Sequence, residues 1–134
     1  MARVLGDAMS TDLLLAAPEE TLGEAAEKMR ARGVGAALVM DAGRLVGILT
    51  ERDLLNAVAS RADASEARVR EWMTETLITA PREMPIGRAA SIMVTRGVRH
   101  LPIIDGGRTI GIVSLHDVVR TTARVYPEYE EDGD

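Results

Sequence analysis

Two stretches decide how this chain folds: Gly47-Ile48-Leu49-Thr50-Glu51-Arg52-Asp53 and Gly111-Ile112-Val113-Ser114-Leu115-His116-Asp117. Each runs from glycine through two apolar residues to a hydroxyl, then to an aspartate three positions on. The apolar pair reads as the end of a buried strand and the hydroxyl as a helix N-cap. The aspartate at the third helical position closes a capping box and favours the helix dipole. The same geometry also suits a nucleotide. A helix N-terminus offers N–H groups to a phosphate, and the hydroxyl adds a donor. The carboxylate accepts from the two hydroxyls of a ribose diol. Arg52 and His116 lie between, placed to approach the phosphate. One such box is ordinary helix chemistry; two at the same point of two copies suggest a ligand.

The stretches are copies because their surroundings repeat as well. Met9, Leu13, Gly23, Met29, Gly33 and Asp41 recur as Met73, Leu77, Gly87, Met93, Gly97 and Asp105, always 64 residues on. The constant offset leaves no insertion between the copies and makes a duplicated unit the primary reading. Each copy reads as strand, helix, strand, turn, strand, helix. A strand over Leu13 to Ala17 is followed by Thr21-Leu22-Gly23-Glu24, a capping box that opens a helix. Leu22, Ala25, Ala26 and Met29 form its apolar stripe, and Gly33 is placed for a left-handed C-cap. Ala37 to Met40 and Leu45 to Leu49 are strands joined at Asp41-Ala42-Gly43-Arg44, and Thr50 to Ala59 is the second helix. In the second copy the stripe is Ile86, Ala89, Ala90 and Met93, with Pro85 at the helix start. Leu101 to Ile104 and Thr109 to Val113 make its hairpin, and Ser114 to Ala123 closes it. The expected organisation is repeat 1 over 4–59, a polar linker over 60–68, repeat 2 over 69–123 and an acidic, solvated tail over 124–134.

Composition narrows the function. A chain of 134 residues suits one domain or two small repeats. It has no cysteine, which excludes a disulfide scaffold, a thiolate metal site and a cysteine nucleophile. A net charge of −5 argues against phosphate-driven nucleic-acid binding. The 46% apolar content exceeds that of a disordered chain, and no run reaches the roughly 20 apolar residues of a membrane span. Without a signal-like opening, a cytoplasmic protein is expected. Only Trp72, Tyr126 and Tyr129 are aromatic, so a planar ligand must lie among aliphatic side chains or backbone.

From about Val4 to Ala123 the chain resembles a tandem pair of cystathionine-beta-synthase (CBS) domains. The resemblance rests on the Met9-Ser10 and Met73-Thr74 openings, the two apolar helices, the run Val98 to Asp105 and the two Gly-x-x-Thr/Ser-x-x-Asp stretches. It implies an α/β (α+β) fold of two βαββα repeats about a pseudo-twofold axis, with a cleft between their sheets, usually dimerised. It also implies an adenine-containing regulatory ligand: AMP, ADP or ATP foremost, NAD, S-adenosylmethionine or cyclic di-AMP as further candidates. By resemblance, Thr50, Arg52 and Asp53 belong to one site and Ser114, His116 and Asp117 to the other. Leu14, Ile78 and Thr79 of the first strands, with Val34, Ala36, Val98, His100 and Pro102 before or in the hairpins, would line the base pockets. The copies differ there: Thr79, Arg99, His100 and Pro102 stand where the first has Leu15, Gly35, Ala36 and Leu38. Unequal sites are expected, the more cationic favouring a phosphate-rich ligand. Either Asp53 or Asp117 could share a cleft with Arg99 and His100.

Other motifs carry less. Gly33-Val34-Gly35 lacks the third glycine of a dinucleotide fingerprint and follows a helix rather than a strand. There is no Gly-Lys-Ser/Thr, and His100 and His116 have no metal-ligand spacing. Ser114, His116 and Asp117 share one helical turn and cannot line up as a triad. Trp72 reads as a packing anchor near the start of the second copy. The expectation is a nucleotide sensor with no chemistry of its own and with Asp53 and Asp117 removable without unfolding. The alternatives are a nucleotide-independent dimerisation or interaction module, and a nucleotide hydrolase. A homodimer and a regulated protein are the expected partners, with no nucleic acid or membrane.

Overall fold

The computed structural model describes residues 3–123; the acidic tail expected at 124–134 lies outside the described residues. The chain divides into two bodies, Asp12–Leu77 and the described residues of Met1–Thr11 with Ile78–Asp134. In the first, β1 (Leu15–Ala16) runs parallel to β2 (Ala36–Asp41), which pairs antiparallel with β3 (Arg44–Thr50). The helices are α1 (Leu22–Arg32), α2 (Glu51–Ala59) and the short α3 (Val69–Trp72). In the second body β4 (His100–Asp105) pairs antiparallel with β5 (Arg108–Ser114), flanked by α4 (Ile86–Arg96) and α5 (Leu115–Ala123). Residues Leu5–Asp7 add one 3-10 turn.

The helices begin and end where local chemistry places them. The Thr21 side chain accepts from Glu24 N while Glu24 Oε1 accepts from Thr21 N at 3.0 Å, closing the box that opens α1. Gly33 and Gly97 end α1 and α4 in the left-handed region, at φ 65 and 68°, where a Cβ would be strained. Each apolar stripe covers its own hairpin. Leu22, Ala25 and Met29 bury against Ala37, Val39 and Leu49 in the first core. Ile86, Ala89 and Met93 bury against Leu101, Ile103 and Val113 in the second. Each large apolar side chain so buried is worth about 2 kcal/mol.

Each repeat's opening joins the other repeat's body. Ser10 exchanges backbone hydrogen bonds with Ile112 of β5, at 2.8 and 3.0 Å, and Leu5 is fully buried in the second core. Thr74 does the same with Ile48 of β3, at 2.9 and 3.0 Å, and Trp72 is half-buried against the first core rather than the second. The glycine of each motif makes this possible. A Cβ on Gly47 would lie 2.7 Å from Met73 Sδ and 3.1 Å from the Thr74 carbonyl oxygen. One on Gly111 would lie 2.6 Å from Met9 Sδ and 3.1 Å from the Ser10 carbonyl oxygen. The polar segment 60–68 is ordered against the first body: Leu22 N and Gly23 N donate to the Ala67 and Ala64 carbonyls, both at 2.9 Å.

The repeats differ at their first strand. In the first, Leu38 N donates to the Leu14 carbonyl at 2.9 Å, and β1 forms. Pro102 stands at the equivalent position of β4 and has no N–H to give. The second repeat keeps only an isolated parallel bridge, Ala80 with Ile103.

Candidate functional site

The two Asp motifs fold alike. Thr50 faces Ala36 across the first hairpin, and Ser114 faces His100 across the second. At the strand–helix junctions Glu51 N donates to the Gly35 carbonyl at 3.1 Å, and Leu115 N donates to the Arg99 carbonyl at 2.7 Å. The hairpin entrance and the helix start are thus tied together, gathering Val34, Ala36, Thr50 and Asp53 in one body. Val98, Arg99, His100, Ser114 and Asp117 gather in the other.

The carboxylates themselves are engaged within the protein. Asp53 Oδ2 accepts from Thr50 N at 2.8 Å and from Thr50 Oγ1 at 3.1 Å, while Asp53 N donates to Thr50 Oγ1 at 3.4 Å. Asp117 Oδ2 accepts from Ser114 N and Ser114 Oγ, both at 2.9 Å, and Asp117 N donates to Ser114 Oγ at 3.1 Å. Both are complete capping boxes. One consequence corrects the expectation of open helix N-termini. In each helix two of the amides offered to a phosphate, Glu51 N and Asp53 N, Leu115 N and Asp117 N, already have acceptors. A phosphate at either motif therefore depends more on side chains.

The second carboxylate oxygen is where the repeats part. Asp53 Oδ1 accepts from Thr74 Oγ1 at 3.0 Å, and Asp53 is only 8% exposed. Asp117 Oδ1 accepts from Arg120 Nη2 at 2.8 Å in an ion pair. Neither donor was singled out from sequence as a site residue. Thr74 carried a signal, as part of an opening that recurs with Ser10; Arg120 carried only its place one turn after Asp117. Asp53 thus holds both its own helix start and the Thr74 hydroxyl.

The remaining expected residues are spread over both bodies. In the first, Leu14 is a core residue, Ala36 is buried, and Val34 and Arg52 are exposed. In the second, Ile78 and Val98 are half-buried against the core, Pro102 is buried, and His100 is half-buried. Thr79, Arg99 and His116 are exposed. Among the described residues no cluster of His, Asp and Glu could hold a metal ion. No helix among them is long and apolar enough to cross a membrane.

Comparison with known proteins agrees with this architecture. The CBS domain profile matches twice, over residues 5–60 and 69–124. An uncharacterized protein of Methanopyrus kandleri is 34% identical over 96% of the chain and 67% of its own length. The CBS domain-containing protein YhcV of Bacillus subtilis is 33% identical over 84% of the chain and 80% of its own length. Among solved structures, the CBS domain pair of protein MJ0100, in complex with 5'-methylthioadenosine and S-adenosyl-L-methionine, superposes with a TM-score of 0.85. It is 26% identical, over 92% of this chain and 98% of its own.

Proposed function

The chain belongs to the CBS domain family, built as a mixed α/β pair of repeats, and on that premise we propose that it is a cytoplasmic regulatory module that binds an adenine-containing nucleotide. The observation that carries this reading is the duplicated motif. Two helix starts each present a hydroxyl and a carboxylate three residues apart, at equivalent points of two repeats. The ribose diol would go to Asp53 or Asp117, and the base to the apolar residues at the hairpin entrance, Val34 and Ala36 or Val98 and Pro102. Leu14, Ile78 and Thr79 contribute from the strand side, through backbone where the side chain is buried. Arg52, Arg99, His100 and His116 supply the polar and cationic contacts for phosphate, with AMP, ADP or ATP the favoured ligands. That the structurally similar MJ0100 pair holds two adenosine derivatives supports the base and sugar. Binding would act by favouring one arrangement of the module over another and so altering a partner's activity.

Calorimetric titration tests this with AMP, ADP, ATP, NAD, S-adenosylmethionine and cyclic di-AMP, using GTP as control. Saturable binding of an adenine ligand, abolished in Asp53→Asn/Asp117→Asn, is expected. No binding across the panel by folded protein overturns the reading. The Asn variants are preferred to Ala because they keep the side-chain volume and an acceptor for the helix start.

A second reading, a nucleotide-independent dimerisation or interaction module, is favoured by two observations. Both carboxylates already have internal partners, and the closing helices expose apolar side chains at equivalent positions, Leu55 on α2 and Val119 on α5, with Val58 beside the former. A homodimer through these helices is compatible with either reading. Leu55→Glu/Val119→Glu should shift the mass in light scattering towards the monomer; an unchanged mass would remove these faces from the interface.

A further inference from the structure

We propose that Arg120 is a specificity-determining residue, which makes the second repeat's carboxylate select a ribose ligand that also carries an anionic group. This rests on the reading of Asp117 as a sugar-binding carboxylate.

Asp117 Oδ2 is taken by the helix start, so a sugar hydroxyl must arrive at Oδ1, where Arg120 Nη2 already sits 2.8 Å away. Ligand and guanidinium are therefore neighbours. An uncharged nucleoside can take the remaining acceptor position of Oδ1 but offers the guanidinium nothing. A ligand with a phosphate can do the same and also receive the guanidinium, which has five N–H donors and a planar fork suited to phosphate oxygens. The Arg120 side chain is 63% exposed, so a ligand can reach its guanidinium from solvent. The amides that would otherwise bind the phosphate, Leu115 N and Asp117 N, are already bonded to Arg99 O and Ser114 Oγ. The first repeat lacks this device. Uncharged Asn56 occupies the position equivalent to Arg120, and the donor to Asp53 Oδ1 is the neutral hydroxyl of Thr74. Its carboxylate should not discriminate ligands by charge in this way.

The test uses the full-length chain carrying Asp53→Asn, so that binding reports on Asp117, with AMP and adenosine as probes in calorimetry at two salt concentrations. Arg120→Asn should lower the ratio of AMP to adenosine affinity roughly fivefold, in keeping with an exposed charged hydrogen bond, and reduce the salt dependence of AMP binding. Arg120→Lys should restore most of the ratio, and Asn56→Arg in an Asp117→Asn background should raise it at the first repeat. A purely structural Arg120 would change both affinities together and leave the ratio unmoved, which overturns the proposal. If the unmodified protein binds neither probe, the nucleotide reading itself fails and takes this inference with it. A bound AMP whose ratio ignores Arg120 removes only the inference.

Discussion

Asp53 and Asp117 occupy the same point of two repeats, yet Asp53 is sealed by a neutral hydroxyl from Thr74 and Asp117 is met by the exposed guanidinium of Arg120. The strands beside them differ in the same spirit: Leu38 donates its N–H to the Leu14 carbonyl, and Pro102 has none to donate. Duplication preserved the frame of each motif, its glycine, cap and carboxylate. The groups around that frame diverged. The first repeat gives its carboxylate's second oxygen a neutral donor; the second gives it a charged one. On the proposed reading, ligand selectivity would lie in the surroundings of the motif rather than in the motif.

The largest expected effect tests what the repeats share. Gly47→Val and Gly111→Val should each cost about 3 kcal/mol in denaturant unfolding, because the added branches meet Met73 and Thr74, or Met9 and Ser10. A cost at only one site would break the equivalence of the two openings. Next comes the inequality of the carboxylates. Asp53→Ala should cost about 2 kcal/mol, since it removes three acceptor contacts from a buried position. Asp117→Ala should cost about 1 kcal/mol, because one of its partners is an exposed ion pair. Equal costs would contradict the difference in sealing.

Smaller effects sharpen it. Both hairpin turns place their central residues at positive φ, Ala42 and Gly43 at 50 and 78°, Gly106 and Gly107 at 57 and 78°. Only the first puts an alanine there, so Ala42→Gly should raise stability by about 0.5 kcal/mol and Gly106→Ala lower it by about 1 kcal/mol. Pro102→Leu should create a protected amide at position 102 in hydrogen exchange, extending the second sheet as Leu38 extends the first; an unprotected amide would mean that more than the missing N–H keeps that strand short. The smallest effect belongs to the helix starts. Thr21's backbone N–H, then its hydroxyl, hold the exposed Glu24 carboxyl below its ordinary value near 4.5. Its folded value is depressed, so its small stabilisation is present above about pH 4.5 and is lost as pH falls through the folded value. Pro85 and Arg88 replace this pair in the second repeat, so Glu24→Gln should reduce the first repeat's acid response, read by site-resolved exchange, and leave the second repeat's unchanged.

The periodic parts of this molecule were legible in the sequence. Capping boxes, apolar stripes and glycine C-caps are local, and the 64-residue offset checked each against its copy. The 3-10 turn at Leu5–Asp7 and α3 were missed, being too short to show a period. The exchange of openings was also hidden, because nothing local says which hairpin Met9-Ser10 or Met73-Thr74 joins. At the candidate site the frame was readable, while Thr74 and Arg120 were not. Thr74 reaches Asp53 from 21 residues away in sequence. Arg120 is one of many exposed arginines until its hydrogen bond is seen.

The most direct test of the account is a titration of isotope-labelled protein with AMP, followed by amide NMR at Thr50, Asp53, Ser114 and Asp117. The account predicts saturable shifts at one or both motifs, with Arg120's side-chain signals moving alongside Asp117. Shifts confined to other surfaces, or none at all from folded protein, would contradict it.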